Sequence, residues 1–234
     1  MPGMLASAVV AIPGFSEPFS SLSHLIGAAV FLVLGVLLVR KGVEARRGSG
    51  AGVGGALSLA VFSVSAVLLL CMSGVFHLAT LHSGAREVLK RLDHAAIFVL
   101  IAGTFTPVHT ILFRGPWRWG MLAFIWMVAA LGVTLKSIYF ANLPQTAGLV
   151  LYVAMGWVGL LSMIMFWLRH GPEKLWPLVA GGLVYTAGAV VEWAEPADLV
   201  PGVIRAHEVF HVAVLIGLGL HWRFMWSIAD HRVV

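Results

Sequence analysis

The chain has 234 residues, of which 60% are apolar and only 11% charged, with a mean hydropathy of +0.96. Soluble domains carry about a quarter charged residues, so this chain lacks the polar surface that a water-exposed fold requires. Net charge is +5, but the basic residues sit singly or in short groups between apolar runs. That pattern excludes the clustered basic face of a nucleic-acid binder and fits membrane loops.

A membrane span takes about 20 apolar residues. No Lys or Arg precedes Arg40, so the basic n-region of a signal peptide is missing. Residues 1–19 read as a short, loose leader outside the bilayer. The first span runs from Ser20 to Val39 and is closed by Arg40 and Lys41, with a Gly-rich loop from Gly42 to Gly52. The second covers Val53–Leu78 and the third Asp93–Phe113. Trp119–Leu135 is the fourth, Ala147–Leu168 the fifth, Leu175–Trp193 the sixth and His207–Trp226 the seventh. All are expected to be helices, because backbone groups in lipid must be satisfied within the segment. The expected fold is therefore an all-α membrane protein, a seven-transmembrane helix bundle forming one domain over residues 20–228, with a tail at 229–234. Tryptophans near the span ends, among them Trp119, Trp167, Trp176 and Trp226, fit an interfacial belt. The single cysteine, Cys71, excludes an intrachain disulfide.

With seven spans, the N-terminus shares a side with the 2–3, 4–5 and 6–7 loops. Of the 15 Lys and Arg residues, Arg86, Lys90, Arg91, Lys136 and Arg205 lie there, and the remaining ten lie opposite. The positive-inside rule then puts the C-terminus in the cytosol and the N-terminus outside, in the plasma (cell inner) membrane.

Ionisable residues at membrane depth are functional candidates by default. His24 starts span 1, Ser73 and His77 end span 2, Asp93 and His94 open span 3, and His207, Glu208 and His211 open span 7. Starts of odd spans and ends of even ones fall on one side, so these residues gather in one leaflet. Positions four apart share a helix face, which lets His207 and His211 aim at one point. With His77 they make a three-His set suited to zinc, whose catalytic sites keep a fourth position for water. Asp93 is then the residue to hold and deprotonate a water, and Ser73 the donor to it or to an oxyanion. Asp93 also suits a helix N-cap, while His82, His94 and His109 read as hydrogen-bonded core histidines. His207-Glu208-Val209-Phe210-His211 matches the H-E-x-x-H protease pattern, but Val214 and Gly217 stand where the extended pattern needs Gly and His, and no Glu follows Glu208. Glu208 stays open as an alternative base. A bis-His haem is disfavoured, since two histidines on one helix cannot flank one ring.

The chain resembles the hemolysin III family, within the progestin and adipoQ receptor superfamily. The resemblance rests on Glu17-to-His24 (E-P-F-S-S-L-S-H), Ser73-to-His77 (S-G-V-F-H), Arg91-to-His94 (R-L-D-H), Gly103-to-Pro107 (G-T-F-T-P) and His207-to-His211. Ser20 stands where the family usually has Asn. The resemblance implies His77, His207 and His211 as zinc ligands, Asp93 and Ser73 beside the metal-bound water, and His24 in support. It also implies candidate functions, since the superfamily includes alkaline ceramidases and its bacterial members are tied to membrane lipid homeostasis. Adiponectin receptors place the N-terminus and zinc in the cytosol, opposite to the charge count made on this chain's own loops. The leading expectation is a zinc-dependent hydrolase of a lipid amide or ester, with a membrane lipid as substrate and no nucleic-acid partner; the sequence carries no signal of oligomeric state. A non-enzymatic sensor or receptor with structural zinc is the alternative, and a pore-forming hemolysin ranks last.

Overall fold

The computed structural model describes residues 10–12, 14–49, 54–81, 83–140, 142, 144–171 and 173–230. Among them are eight helices: α1 (Pro18–Ser49), α2 (Gly54–Leu78), α3 (Gly84–Leu112), α4 (Gly115–Ile138), α5 (Gln145–Trp157), α6 (Leu160–His170), α7 (Trp176–Ala194) and α8 (Ala206–Ile228). Helices α5 and α6 together make one span, so seven segments are long and apolar enough to cross a membrane. With the membrane-type composition, this makes the protein an integral membrane protein with an all-helical, seven-span fold.

The sequence-based bounds need three corrections. α1 continues through the Gly-rich stretch expected to be a loop, as far as Ser49. The straight-chain residues Arg40, Lys41, Glu44, Arg46 and Arg47 favour helix where hydropathy has already fallen. α3 starts nine residues before the expected Asp93. Ser83 is its N-cap and accepts a hydrogen bond from the Arg86 backbone N–H at 3.2 Å. Asp93 is therefore inside the helix and is not its cap. The charges of Arg86, Glu87, Lys90 and Arg91 hid two polar turns that a hydropathy window does not count. Third, the fifth span is discontinuous at Val158–Gly159. A Cβ on Gly159 would lie 3.0 Å from Phe105 Cζ, so this glycine lets the break pack against α3. The leader's first nine residues and the tail from residue 231 lie outside the described residues, as does His82.

In the bundle α1 packs on α2 and α8, α2 on α3, α3 on α4, and α7 on α8, while α3 also reaches α5 and α8. Phe62, Leu70, Leu218, Phe224 and Ile228 are among the fully buried residues of the main core. Many other large apolar side chains face outward, as a lipid-exposed surface requires: Val30, Leu32, Val33, Val64 and Met127 are all exposed. Close approach of α2 and α3 depends on Gly103, where a Cβ would lie 2.1 Å from Ser65 Oγ. Pro107, four residues on, lies inside α3. Neighbouring helices make such a proline tolerable in a membrane.

The described part of the leader is tied to the bundle. The Val10 backbone N–H donates to the Gly202 carbonyl at 2.9 Å and that of Glu17 to the His77 carbonyl at 3.1 Å. Glu17 thereby arrives at the end of α2.

Candidate metal centre

The end of α2, the start of α8, the end of α7 and the third turn of α3 meet at one end of the bundle. His77, on the last turn of α2, and His207 and His211, one turn apart on α8, point their Nε2 atoms at one place. The separation is 3.3 Å from His77 to His207 and 3.0 Å from His207 to His211, and all three ligand atoms lie within 4.8 Å of one another. His77 and His211 are buried.

The other ring nitrogens explain how the imidazoles are aimed. His77 Nδ1 donates to Glu17 Oε2 at 2.6 Å, and His207 Nδ1 donates to Glu192 Oε1 at 3.1 Å. A neutral imidazole that gives Nδ1–H to a carboxylate keeps its lone pair on Nε2. Lone pairs facing each other at these distances repel unless a cation or a proton lies between them. Tetrahedral zinc, with bonds of about 2.0–2.1 Å, holds its nitrogen ligands roughly 3.3 Å apart. Carboxylates behind ligating histidines are the usual outer partners of such a site. The residues thus fit a three-His metal ion.

Glu17 is itself held. Its Oε2 accepts from Arg86 at 2.5 Å, and its Oε1 lies 3.7 Å from Arg205. Burial alone would raise the Glu17 carboxyl, but the hydrogen bonds and charges of His77 and Arg86 outweigh it and hold it at about 2. Arg86 also donates to the carbonyls of Phe76 at 3.2 Å and Ala79 at 2.8 Å. It thereby fixes the end of α2 that carries His77.

Each of the other expected site residues has a definite place. Asp93 is outside the three-His group but lines the same cavity, with Ser73 on the same wall. His24 stacks on His211, with ring centroids 3.9 Å apart, and its Nε2 lies 3.5 Å from the His211 carbonyl. Glu208 is buried, and both its oxygens are taken. The Arg205 backbone N–H donates to it at 3.0 Å, the Arg205 guanidinium at 3.3 Å, and Ser20 at 3.0 Å. Glu208 therefore starts α8 and ties it to α1. Ser20, the departure from the usual family residue, supplies that tie. His94 Nδ1 donates to the Lys90 carbonyl at 2.8 Å, and His109 bonds the Phe105 carbonyl and Ser162.

The sequence reading missed Glu192, Arg86 and Glu17 as site residues. Glu192 had a signal: it is a carboxylate inside an apolar span, at an end that parity puts in the same leaflet. Arg86 and Glu17 had none at helical spacing, because only the return of the leader onto α2 joins them.

From the histidines an apolar cavity of about 380 Å³ runs down the bundle, past Leu100 and Phe105 to Leu175 and Phe224 near the other end. Its upper wall carries Asp93, Ser73, His207 and His211.

Seven spans, a three-His group in one leaflet and an apolar cavity beneath it define a heptahelical membrane protein with a candidate metal centre. A family profile described as "Haemolysin-III related" matches residues 15–222. Hemolysin-3 of Bacillus cereus is 30% identical over 201 residues, covering 86% of each chain. The Heptahelical transmembrane protein ADIPOR2 of rice is 31% identical over 180 residues, covering 69% of this chain and 77% of that one. Monocyte to macrophage differentiation factor of human is 24% identical over 174 residues. The chain belongs to the hemolysin III family, within the progestin and adipoQ receptor superfamily.

Proposed function

We propose that this protein is a zinc-dependent hydrolase of an amide or ester bond in a membrane lipid, ceramidase-like, serving membrane lipid homeostasis. One observation carries the reading: three convergent imidazole nitrogens, two of them backed by carboxylates, share a cavity with the Asp93 carboxylate and an apolar channel. His77, His207 and His211 would hold the ion. Zinc supplies Lewis acidity and brings the pKa of a water into the neutral range.

The chain's own residues do the rest. The cavity takes the apolar chain of the lipid and brings the scissile carbonyl to its upper end, with bulk water excluded by the channel walls. Asp93 accepts the proton of the attacking water and returns it to the leaving group. Glu208 has both oxygens engaged by Arg205 and Ser20, which favours Asp93 as the base. Ser73 lines the same wall and has one hydroxyl proton to offer. Once Asp93 has taken up a proton, the Ser73 donor turns to the oxyanion.

The test is product release from ceramide and lysolipid substrates by purified protein in nanodiscs, with Asp93→Ala beside it. The expected result is a loss on the order of 10²–10⁴-fold, the range for a positioned acid–base group, with metal content unchanged. Equal product from both proteins at equal metal content sinks the reading.

A second reading keeps the zinc and drops the chemistry. The histidines and their carboxylates come from α2, α8, the leader and α7, so an ion there also fastens four pieces of chain. On that reading His207→Ala lowers the melting temperature while wild type hydrolyses no lipid class. A pore has less support, because the long internal channel is apolar.

A further inference from the structure

Below the candidate metal centre the cavity wall carries a second, separate polar group. Among the described residues the buried side-chain nitrogen and oxygen atoms without a partner are on His24, Trp117, Tyr185, His211 and His221. His24 and His211 belong to the metal centre, and Trp117 does not line the cavity. Tyr185 Oη and His221 Nδ1 remain, and both residues line it. Their rings meet edge to face, with centroids 5.1 Å apart. Two orphaned polar atoms on neighbouring rings in an apolar channel are costly unless something bonds them.

The spot is built by the backbone. A Cβ on Gly217 of α8 would lie 2.6 Å from the Tyr185 ring of α7, and one on Gly181 of α7 would lie 2.4 Å from the His221 ring of α8. Each helix thus offers a glycine notch that seats the other helix's polar ring and fixes its direction. The pair contrasts with His109 in the same cavity. His109 has one ring nitrogen on the Phe105 carbonyl and the other on Ser162, which leaves neither for a ligand.

The chemistry of the pair narrows what would bind there. His221 Nε2 lies 3.3 Å from the Leu178 carbonyl, to which it donates its proton. Nδ1 of the neutral ring is then an acceptor, and Tyr185 Oη carries a donor. One donor and one acceptor on neighbouring rings suit a hydroxyl, which does both. A carbonyl uses only the donor, and a carboxylate is repelled by the Nδ1 lone pair. His221 follows His211 by ten residues on α8, about 15 Å at 1.5 Å per residue.

We propose that Tyr185 and His221 form a hydroxyl-binding subsite, so that the lipid in this cavity is one whose chain bears a hydroxyl group about 15 Å from the group at the three histidines. The inference rests on the reading that the cavity holds a lipid chain. It deepens that reading by naming the substrate class: a mid-chain hydroxylated acyl or alkyl lipid.

The experiment is displacement of a fluorescent fatty acid from the full-length, metal-loaded protein in nanodiscs. Stearic acid is compared with the positional series of its monohydroxy derivatives. One position in the middle or lower half of the chain is expected to bind about tenfold more tightly than stearic acid, the scale of one well-made buried hydrogen bond. Tyr185→Phe, which keeps the ring in its notch, should abolish that preference. His221→Phe should abolish the preference too. Binding of stearic acid with no positional preference overturns the subsite, means that a buried water satisfies the two atoms, and leaves the chain-binding cavity standing. A preference that survives Tyr185→Phe also overturns it. Absence of binding by every acid overturns the subsite and the lipid-cavity reading together.

Discussion

His77 and His207 each give one ring nitrogen to a carboxylate and turn the other toward the same point. Helix spacing accounts for His207 and His211 alone. Glu17 and Glu192 decide that the rings converge in the tautomer a metal needs. Neutralising either partner, as Glu17→Gln or Glu192→Gln, should lower zinc affinity by about 10–100-fold, read by competition with a chromogenic chelator. His77→Ala and His211→Ala should lose the metal on purification, seen in elemental analysis beside wild type. Glu17 also predicts a pH dependence. Its carboxyl is held at about 2 against an ordinary 4.5, so the folded state favours the ionised form. The stability it contributes is complete above about pH 4.5 and is lost as the pH falls toward 2. Glu17→Gln should flatten the acid limb of a plot of melting temperature against pH. An unchanged limb would mean that the His77 hydrogen bond and the Arg86 ion pair contribute nothing.

At the scale of helices, two contacts set the site. α2 and α3 must approach closely to put Ser73 of one and Asp93 of the other on one cavity wall, and Gly103 permits it. Gly103→Ala drives a methyl group onto Ser65 Oγ, which an added Cβ would meet at 2.1 Å. Overpacking of this kind costs about 1–3 kcal/mol. The variant should melt lower in detergent, and Ser65→Ala should restore part of the loss. The α7–α8 contact is the second. There the reciprocal glycines fix Tyr185 and His221, and the same antiparallel register brings Glu192 opposite His207. The sequence exposed α7 and α8 as apolar runs but not this register, because small residues pack by shape and leave no periodic signal of their own.

For the whole molecule, parity did more than any motif. Seven spans with alternating direction oblige residues as distant as His24 and His211 to lie in one leaflet, and the bundle stacks those two rings. The asymmetry of Lys and Arg predicts that this end faces away from the cytosol. A cysteine introduced in the exposed loop near Leu199 should then react with a membrane-impermeant maleimide in intact cells, in a background lacking Cys71. Labelling only after permeabilisation would reverse the orientation. Removing the metal with a chelator should lower the melting temperature, since an ion at the three histidines joins α2 to α8 and helps hold the leader.

Composition alone made this a membrane protein, because a chain with so few charges has no way to cover itself in water. Hydropathy gave the seven spans, and parity with i, i+4 spacing gave His77, His207, His211, Asp93 and Ser73 as neighbours in depth. The element ends escaped it where charged residues continue a helix past the apolar run, as in α1 and the first turns of α3. Depth is a one-dimensional quantity, and it does not say which face of a helix meets which neighbour. Only the packed bundle decided that Glu192 and Glu17 stand behind the histidines, that Glu208 is committed to Arg205 and Ser20, and that Tyr185 Oη and His221 Nδ1 are left without partners in one cavity. Those outcomes depend on helix rotation and register, which glycine notches and the returning leader set across large separations in sequence.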